Sequence, residues 1–363
     1  MLTKIKTLRP TYAYIDLENY KHNIEIAKKL SNSKIIAIVK ADAYGHGAIK
    51  IAEFAYKQCG VTHFGVATIE EGINLRKKLN DAHIIILGYV DEKYYDEILA
   101  NNLILTIYDY NFASSFNNYL ISKNRVHPAA LKIDTGMNRL GFNTDLNYFE
   151  LSSTFSNIKF VLCMTHLSSS DTDREYTEFQ INMFKDFLKR EKINIPTSVL
   201  NSSAICLYKN DFDYTRPGIM TYGYVYPENS FGLKPVMKIF SKIVHVKELK
   251  RGDKVSYNQK FTADKKMKIG VVPIGYADGY FRNLSNRGFM YINGKRCNVV
   301  GSVCMDMTMI DISHLTENEI TEEVEILGEN VRADMLAELC DTISYEILCA
   351  ISDRIPRVYS NDY

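Results

Sequence analysis

No apolar run in this sequence approaches the length that crosses a membrane. The first ten residues, which hold Lys4, Lys6 and Arg9, contain no apolar stretch of the secretory kind. Both absences predict a cytoplasmic chain with no membrane partner. A net field is missing too: Lys and Arg number 44 against 43 Asp and Glu. Bulk charge therefore predicts no nucleic-acid partner, and only a local patch for a phosphate stays open. The seven cysteines are scattered, with no Cys-x-x-Cys pair. That argues against a disulfide framework or a zinc site, and no metal is expected. There is neither a short repeat nor a low-complexity segment.

What is there is alternation. Strand-like apolar runs occupy 34–39, 63–68, 84–90, 103–107, 129–134, 160–165, 197–200 and 214–220. Amphipathic helical stretches lie between them, for example 48–56, 69–79, 91–100, 111–122, 146–156 and 176–191. Apolar strands alternating with helices imply parallel strands covered on their outer faces. Eight of them in about 200 residues predict a (β/α)8 barrel of the TIM type. An open doubly wound sheet would favour a G-x-G-x-x-G turn after its first strand, and none is present. After Gly223 the texture changes to strands at 234–249, 266–274, 288–292 and 296–303. Asn293-Gly294 signals a hairpin, and helical patterns return only at 332–339 and 343–350. The expected domains are a barrel over 12–233 and a mainly β domain over 234–363. Strand 11–16 has no obvious place among the eight.

A packed barrel collects polar chemistry at the C-terminal ends of its strands. Strand 34–39 ends on Lys40, within Val39-Lys40-Ala41-Asp42-Ala43-Tyr44-Gly45-His46-Gly47. A lysine there is poorly solvated, and its neutral amine can form a Schiff base with an aldehyde. Tyr44 could bring a hydroxyl to the same mouth, while Gly45 and Gly47 let the chain turn into the next helix. The other strand ends carry Asp134 to Arg139, then His166, then Asn201 and Ser202, then Arg216-Pro217-Gly218-Ile219. This inventory suits an anionic cofactor with an aldehyde and a phosphate. Singly, each residue has a plain explanation: His166 as a satisfied core histidine, Arg216 as a cap on a loop carbonyl, Ser202 as a helix N-cap. Lys132, inside an apolar strand, needs a partner or must lose its charge.

The segment V-K-A-D-A-Y-G-H-G resembles the cofactor-lysine motif of bacterial alanine racemases. In the same order follow K-I-D-T-G-M-N-R (132–139), T-H-L-S-S-S-D (165–171), N-S-S-A (201–204), R-P-G-I (216–219), I-G-Y-A-D-G-Y (274–280) and V-C-M-D (303–306). The resemblance spans both expected domains and places the N-terminal strand, about residues 1–16, with the β domain. It implies pyridoxal 5′-phosphate (PLP) as cofactor and racemisation of L-alanine to D-alanine, feeding peptidoglycan. It also implies a head-to-tail homodimer with shared active sites.

The resemblance implies roles as well. Lys40 would hold PLP and act as one acid–base residue. Tyr276, lent by the second subunit, would be the other, because the Cα proton leaves one face and returns to the opposite one. A hydrogen-bond chain would run Tyr276, His166, Arg216. Arg216 would face the pyridine nitrogen, which it cannot protonate, and so limit side reactions. Arg139 would contact the cofactor oxygen and the substrate carboxylate. Lys132 matches a lysine carried as a carbamate, which would hold Arg139. Tyr44, Asn201, Ser202, Gly218 and Ile219 match the cofactor and phosphate side. Met305 and Asp306 match partner-chain residues near the substrate carboxylate. In one departure, Asp353 stands where the family commonly has a tyrosine, which predicts a wider entrance and weaker PLP retention, with Arg354 as the expected ion-pair partner. The competing readings are a racemase of serine or another small amino acid, a PLP-dependent decarboxylase, and a non-catalytic PLP-binding protein.

Overall fold

The computed structural model describes residues 7–226 and 231–360. The chain divides into two compact units. One comprises Lys21–Ala43 and Ala48–Leu233; the other takes the N-terminal segment through Tyr20, Tyr44–Gly47 and the chain from Lys234 onward. Strand β1 (Tyr12–Ile15) belongs to the second.

The first unit is a closed parallel barrel. Its strands are β2 (Lys34–Ile38), β3 (His63–Val66), β4 (His83–Ile86), β5 (Ile104–Ile107), β6 (His127–Lys132), β7 (Ile158–Met164), β8 (Thr197–Ser198) and β9 (Tyr214–Thr215). Each pairs with the next, and β9 returns to β2 through Lys34↔Tyr214 and Ile35↔Thr215. Ile35 to Ile38 and Ile84 to Ile86 are buried throughout, as barrel strands packed on both faces must be, and for that reason they read as unbroken apolar runs. Helix Ala48–Cys59 turns Ile51, Ala52, Ala55 and Cys59 inward at helical spacing. The run expected over 214–220 stops at Thr215, because Pro217 has no N–H for a ladder and Ile219–Tyr222 winds into a 3-10 turn.

At the N-terminal end of the barrel the register places His63 beside His83, and their rings stack with centroids 4.4 Å apart. Burial, then His83 and Lys34, pushes His63 down to about 4. An imidazole that stays neutral when folded but ionises when unfolded near 6.5 contributes stability that is complete above pH 6.5 and is lost as pH falls toward 4. Discounted for its partial exposure, the loss between pH 7 and 5 is about 1 kcal/mol. Melting curves at both pH values should therefore converge for His63→Asn relative to the parent. Buried His166 and His127 shift in the same direction in both proteins and cancel in that difference.

The second unit is mainly β. Its six-stranded sheet runs Lys295–Asn298, Phe289–Ile292, Val324–Leu327, Met237–Ser241, β1 and Arg357–Tyr359. β1 lies antiparallel to Met237–Ser241 and parallel to Arg357–Tyr359. A three-stranded sheet joins His245–Leu249, Met267–Val272 and Thr308–Asp311. The hairpin forms at Asn293-Gly294, both at positive φ (48° and 72°), with Ile292 facing Lys295. Helices Ala333–Cys340 and Ser344–Cys349 follow.

Candidate active site

The barrel topology sets one polar group after another on the same rim. β2 delivers Lys40, β6 ends on Lys132 and leads to Arg139, and β7 leads to His166. β8 precedes Asn201 and Ser202, and β9 precedes Arg216, Gly218 and Ile219. All of these lie in the barrel unit.

Arg216 is the anchor of the group. It is 5% exposed. Its Nη1 donates to Ser198 Oγ at 2.5 Å, and its Nη2 donates to the Val199 carbonyl at 3.1 Å and to the Thr165 carbonyl. The same Nη2 stands 3.5 Å from His166 Nδ1. Burial pushes the guanidinium down to about 10, which still leaves it charged at neutral pH. Burial first, then Lys132, Arg216, Arg139 and Lys40, hold His166 well below the ordinary histidine value. A neutral imidazole that accepts at Nδ1 carries its proton on Nε2, so the partner assigns the tautomer. His166 can then pass a hydrogen bond onward.

Lys132 is held well below the ordinary lysine value by burial, then by Arg216 and Arg139, with Asp134 working the other way. Asp134 offers little relief, because its Oδ1 already accepts from the amides of Gly136, Met137 and Asn138 at 2.8, 2.9 and 3.2 Å. Cations that suppress one another's charge mark a place for an anion.

Ser202 is 4% exposed, and its Oγ accepts from the Gly218 amide at 2.9 Å and the Met220 amide at 3.3 Å. With its lone pairs taken, the hydroxyl hydrogen is left to donate, which suits an oxyanion. The N-cap of helix Ser202–Leu207 is Asn201, whose Oδ1 accepts from the Ala204 amide at 3.0 Å and from Ser170 Oγ at 2.8 Å. The donor set thus fits an anionic ligand that also presents an aldehyde to Lys40, as PLP does. Among the described residues, no group of three or more His, Cys, Asp or Glu could hold a metal. No helix among them is long and apolar enough to cross a membrane.

The stretch from Lys40 to Gly45 is one helical turn with the φ values of the left-handed region: 51° at Ala41, 50° at Asp42, 54° at Ala43, 54° at Tyr44 and 79° at Gly45. Only the last is a glycine. Each L-residue there costs roughly 1–2 kcal/mol, so the turn exists because its surroundings hold it. Asp42 Oδ1 accepts from the Ala48 amide at 2.7 Å, and the Ala41 amide is taken by Glu71. In the β unit, a Cβ at Gly45 would stand 2.4 Å from the Leu348 carbonyl. Arg357 donates to the Gly45 carbonyl from Nε at 3.1 Å and from Nη2 at 3.0 Å. Tyr44 groups with this unit, 6% exposed and 5.9 Å from Tyr345 between ring centroids. Burial, then Tyr345 and Cys349, raises its hydroxyl above the usual range. His46 is buried, with Nδ1 at 2.9 Å from the Tyr44 carbonyl.

Tyr276, Met305 and Asp306 also lie in the β unit, and the fold brings them together. The Tyr276 amide donates to the Cys304 carbonyl at 3.0 Å and the Ala277 amide to the Met305 carbonyl at 3.1 Å. A Cβ on Gly275 would stand 2.3 Å from the Cys304 carbonyl oxygen, so this approach requires glycine. The turn Tyr276–Asp278 is fixed by Asp278, fully buried and gripped by Arg9 at 2.7 and 3.2 Å. A two-point arginine–carboxylate contact orients as well as binds. Tyr276 itself is 43% exposed, Met305 52%. Arg354 pairs with Asp306 at 2.7 Å rather than with Asp353; the latter is fully exposed, 3.9 Å from Arg357. Glu71, Arg9 and Arg357 carry no signal in the motifs. The capping-box spacing of Thr68 and Glu71 is the one cue that could have singled out Glu71.

Residues 15–227 match the family model for the alanine racemase N-terminal domain, and 236–359 match that for its C-terminal domain. Alanine racemase 1 of Clostridium acetobutylicum is 40% identical, over 97% of this chain and 96% of its own. The solved alanine racemase of Clostridium difficile 630 superposes with a TM-score of 0.90 at 34% identity, covering 98% of this chain and 96% of that one. The alanine racemase of Bartonella henselae, solved with covalently bound pyridoxal phosphate, gives 0.88 at 28% identity, over 96% and 99%. This chain belongs to the alanine racemase family and is an isomerase that racemises alanine.

Proposed function

We propose that the chain interconverts L- and D-alanine by a two-base route on PLP held at Lys40. The observation that carries this reading is the pinned Arg216–His166 pair, where burial and the cations Lys132, Arg139 and Lys40 together hold His166 neutral. PLP, when bound, supplies an electron sink that acidifies the Cα–H of the amino acid it holds. Lys40 supplies the amine that anchors it and one acid–base group. Tyr276, exposed on the β unit beside Met305 and Asp306, supplies the other from the second subunit of a head-to-tail homodimer. His166 relays a hydrogen bond between Arg216 and that tyrosine. Arg216 would meet the pyridine nitrogen as a cation that keeps its own proton. Tyr44, Ser202, Gly218 and Ile219 hold the phosphate, Asn201 is a further cofactor contact, and Arg139, with Met305 and Asp306 of the second subunit, faces the substrate carboxylate. Lys132, whose charge is disfavoured, would add its neutral amine to carbon dioxide with loss of one proton, and the resulting carbamate would anchor Arg139.

The domain limits 12–233 and 234–363, with the N-terminal strand in the β domain, are part of this reading, as are a cytoplasmic location and D-alanine supply for peptidoglycan. The PLP-loaded protein should abolish the optical rotation of L-alanine faster than that of L-serine or L-lysine. Lys40→Ala should lose both cofactor absorbance and activity, by at least ~10³-fold. Unchanged rotation of all three substrates would refute the enzyme reading.

A further inference from the structure

Lys40 sits at the head of a turn that four L-residues enter with positive φ. Such a turn does not hold itself, so some group outside it must fix its first peptide. The Val39 amide donates to the Gly65 carbonyl at 3.0 Å, which secures the chain before the lysine. The first amide after the lysine is that of Ala41, and it donates to Glu71 Oε1 at 2.7 Å. The other oxygen of that carboxylate, Oε2, accepts from the Ala67 amide at 2.7 Å and the Thr68 amide at 3.3 Å. Glu71 is also the third residue of helix Ile69–Arg76, whose first turn it closes with Thr68 as a capping box. One carboxylate thus ties the exit of β2 to the exit of β3. A helix N-terminus favours its negative charge.

We propose that Glu71 is the positioning residue of Lys40: it holds the left-handed turn that aims the lysine amine. The inference rests on the reading of Lys40 as the PLP lysine. A carboxylate is the one side chain that fills the place, since it must accept with both oxygens. An amide has a single acceptor oxygen, and its NH2 would oppose a backbone N–H. Glu71→Gln therefore keeps the volume and breaks one tie. A misplacement of about 1 Å in a reacting group costs on the order of 10²-fold.

The test uses full-length protein loaded with PLP and treated with borohydride, which fixes the lysine–cofactor bond for peptide mass mapping. Glu71→Gln should be trapped at Lys40 ~10-fold more slowly than the parent at equal folded fraction. Adding Ala41→Gly should restore most of the rate, because glycine enters the left-handed region without the penalty. Wild-type trapping by Glu71→Gln, or a slow rate that Ala41→Gly leaves unrescued, would overturn the inference. Hydrogen exchange in the unmutated protein tests the tie even if the variants do not fold. The Ala41 amide, on an exposed residue, should exchange at least ~10-fold more slowly than an open amide, and free exchange would overturn the inference. If the parent is not trapped at Lys40 at all, the PLP reading itself fails, which is a different outcome from failure of Glu71 alone.

Discussion

Tyr276→Phe is expected to lower kcat/KM for racemisation by roughly 10²–10⁴, the range over which one positioned acid–base group contributes. Enantiomers have equal free energy, so the equilibrium constant is one and kcat/KM must fall equally in the two directions. A loss in one direction alone would be thermodynamically impossible for a pure racemase and would point to a different reaction. Folding should be untouched, because 43% of Tyr276 is exposed and its turn is held by backbone bonds and by Asp278 with Arg9. Melting temperature and initial rates from L- and D-alanine check both parts.

Arg216→Met should damage stability and catalysis together. The substitution leaves the carbonyls of Thr165 and Val199 and the hydroxyl of Ser198 without their donor in a buried place. Each unsatisfied buried group costs about 1–3 kcal/mol, and with some replacement by water a total near 2–4 kcal/mol is expected. The same change removes one of the cations that hold His166 down. The histidine then takes up a proton at higher pH than before. If the relay needs neutral His166, activity is lost as pH falls through its pKa, so the acid limb of kcat/KM should move to higher pH. Arg216→Lys keeps the charge but cannot reach all those acceptors. It should leave the acid limb near its parental position while still lowering the rate. A purely structural Arg216 would leave the limb unmoved in both variants.

Much of this was legible because barrel strands are buried on two faces. The runs at 34–39 and 84–90 stand out for that reason, and the residue after each run falls on the active rim by topology alone. Short or polar strands gave no such signal. Arg357–Tyr359 becomes a strand only because β1 offers it a parallel edge, and Thr308–Asp311 because Met267–Val272 lies beside it. β9 ends at Thr215, short of the apolar run to 220, since the apolar character of Ile219 and Met220 serves burial rather than a ladder.

The left-handed turn was hidden for a different reason. Gly45 and Gly47 announce a tight turn, but nothing in Ala41-Asp42-Ala43-Tyr44 announces positive φ; the conformation is imposed by Glu71, Asp42 and Ala48, contacts that local propensity does not encode. Cation crowding around Lys132 was readable from one lysine in an apolar strand. Its partners Arg216 and Arg139 needed the fold to bring β6 and β9 to one rim.

The two-base claim is tested most directly by following L-alanine in D2O with PLP-loaded protein and analysing the first D-alanine formed by mass spectrometry. If one residue removes the Cα proton and another, on the opposite face, returns a different one, the early D-alanine carries a solvent deuteron. Early D-alanine that keeps its original hydrogen would mean a single base working on both faces, and would contradict the pairing of Lys40 with Tyr276.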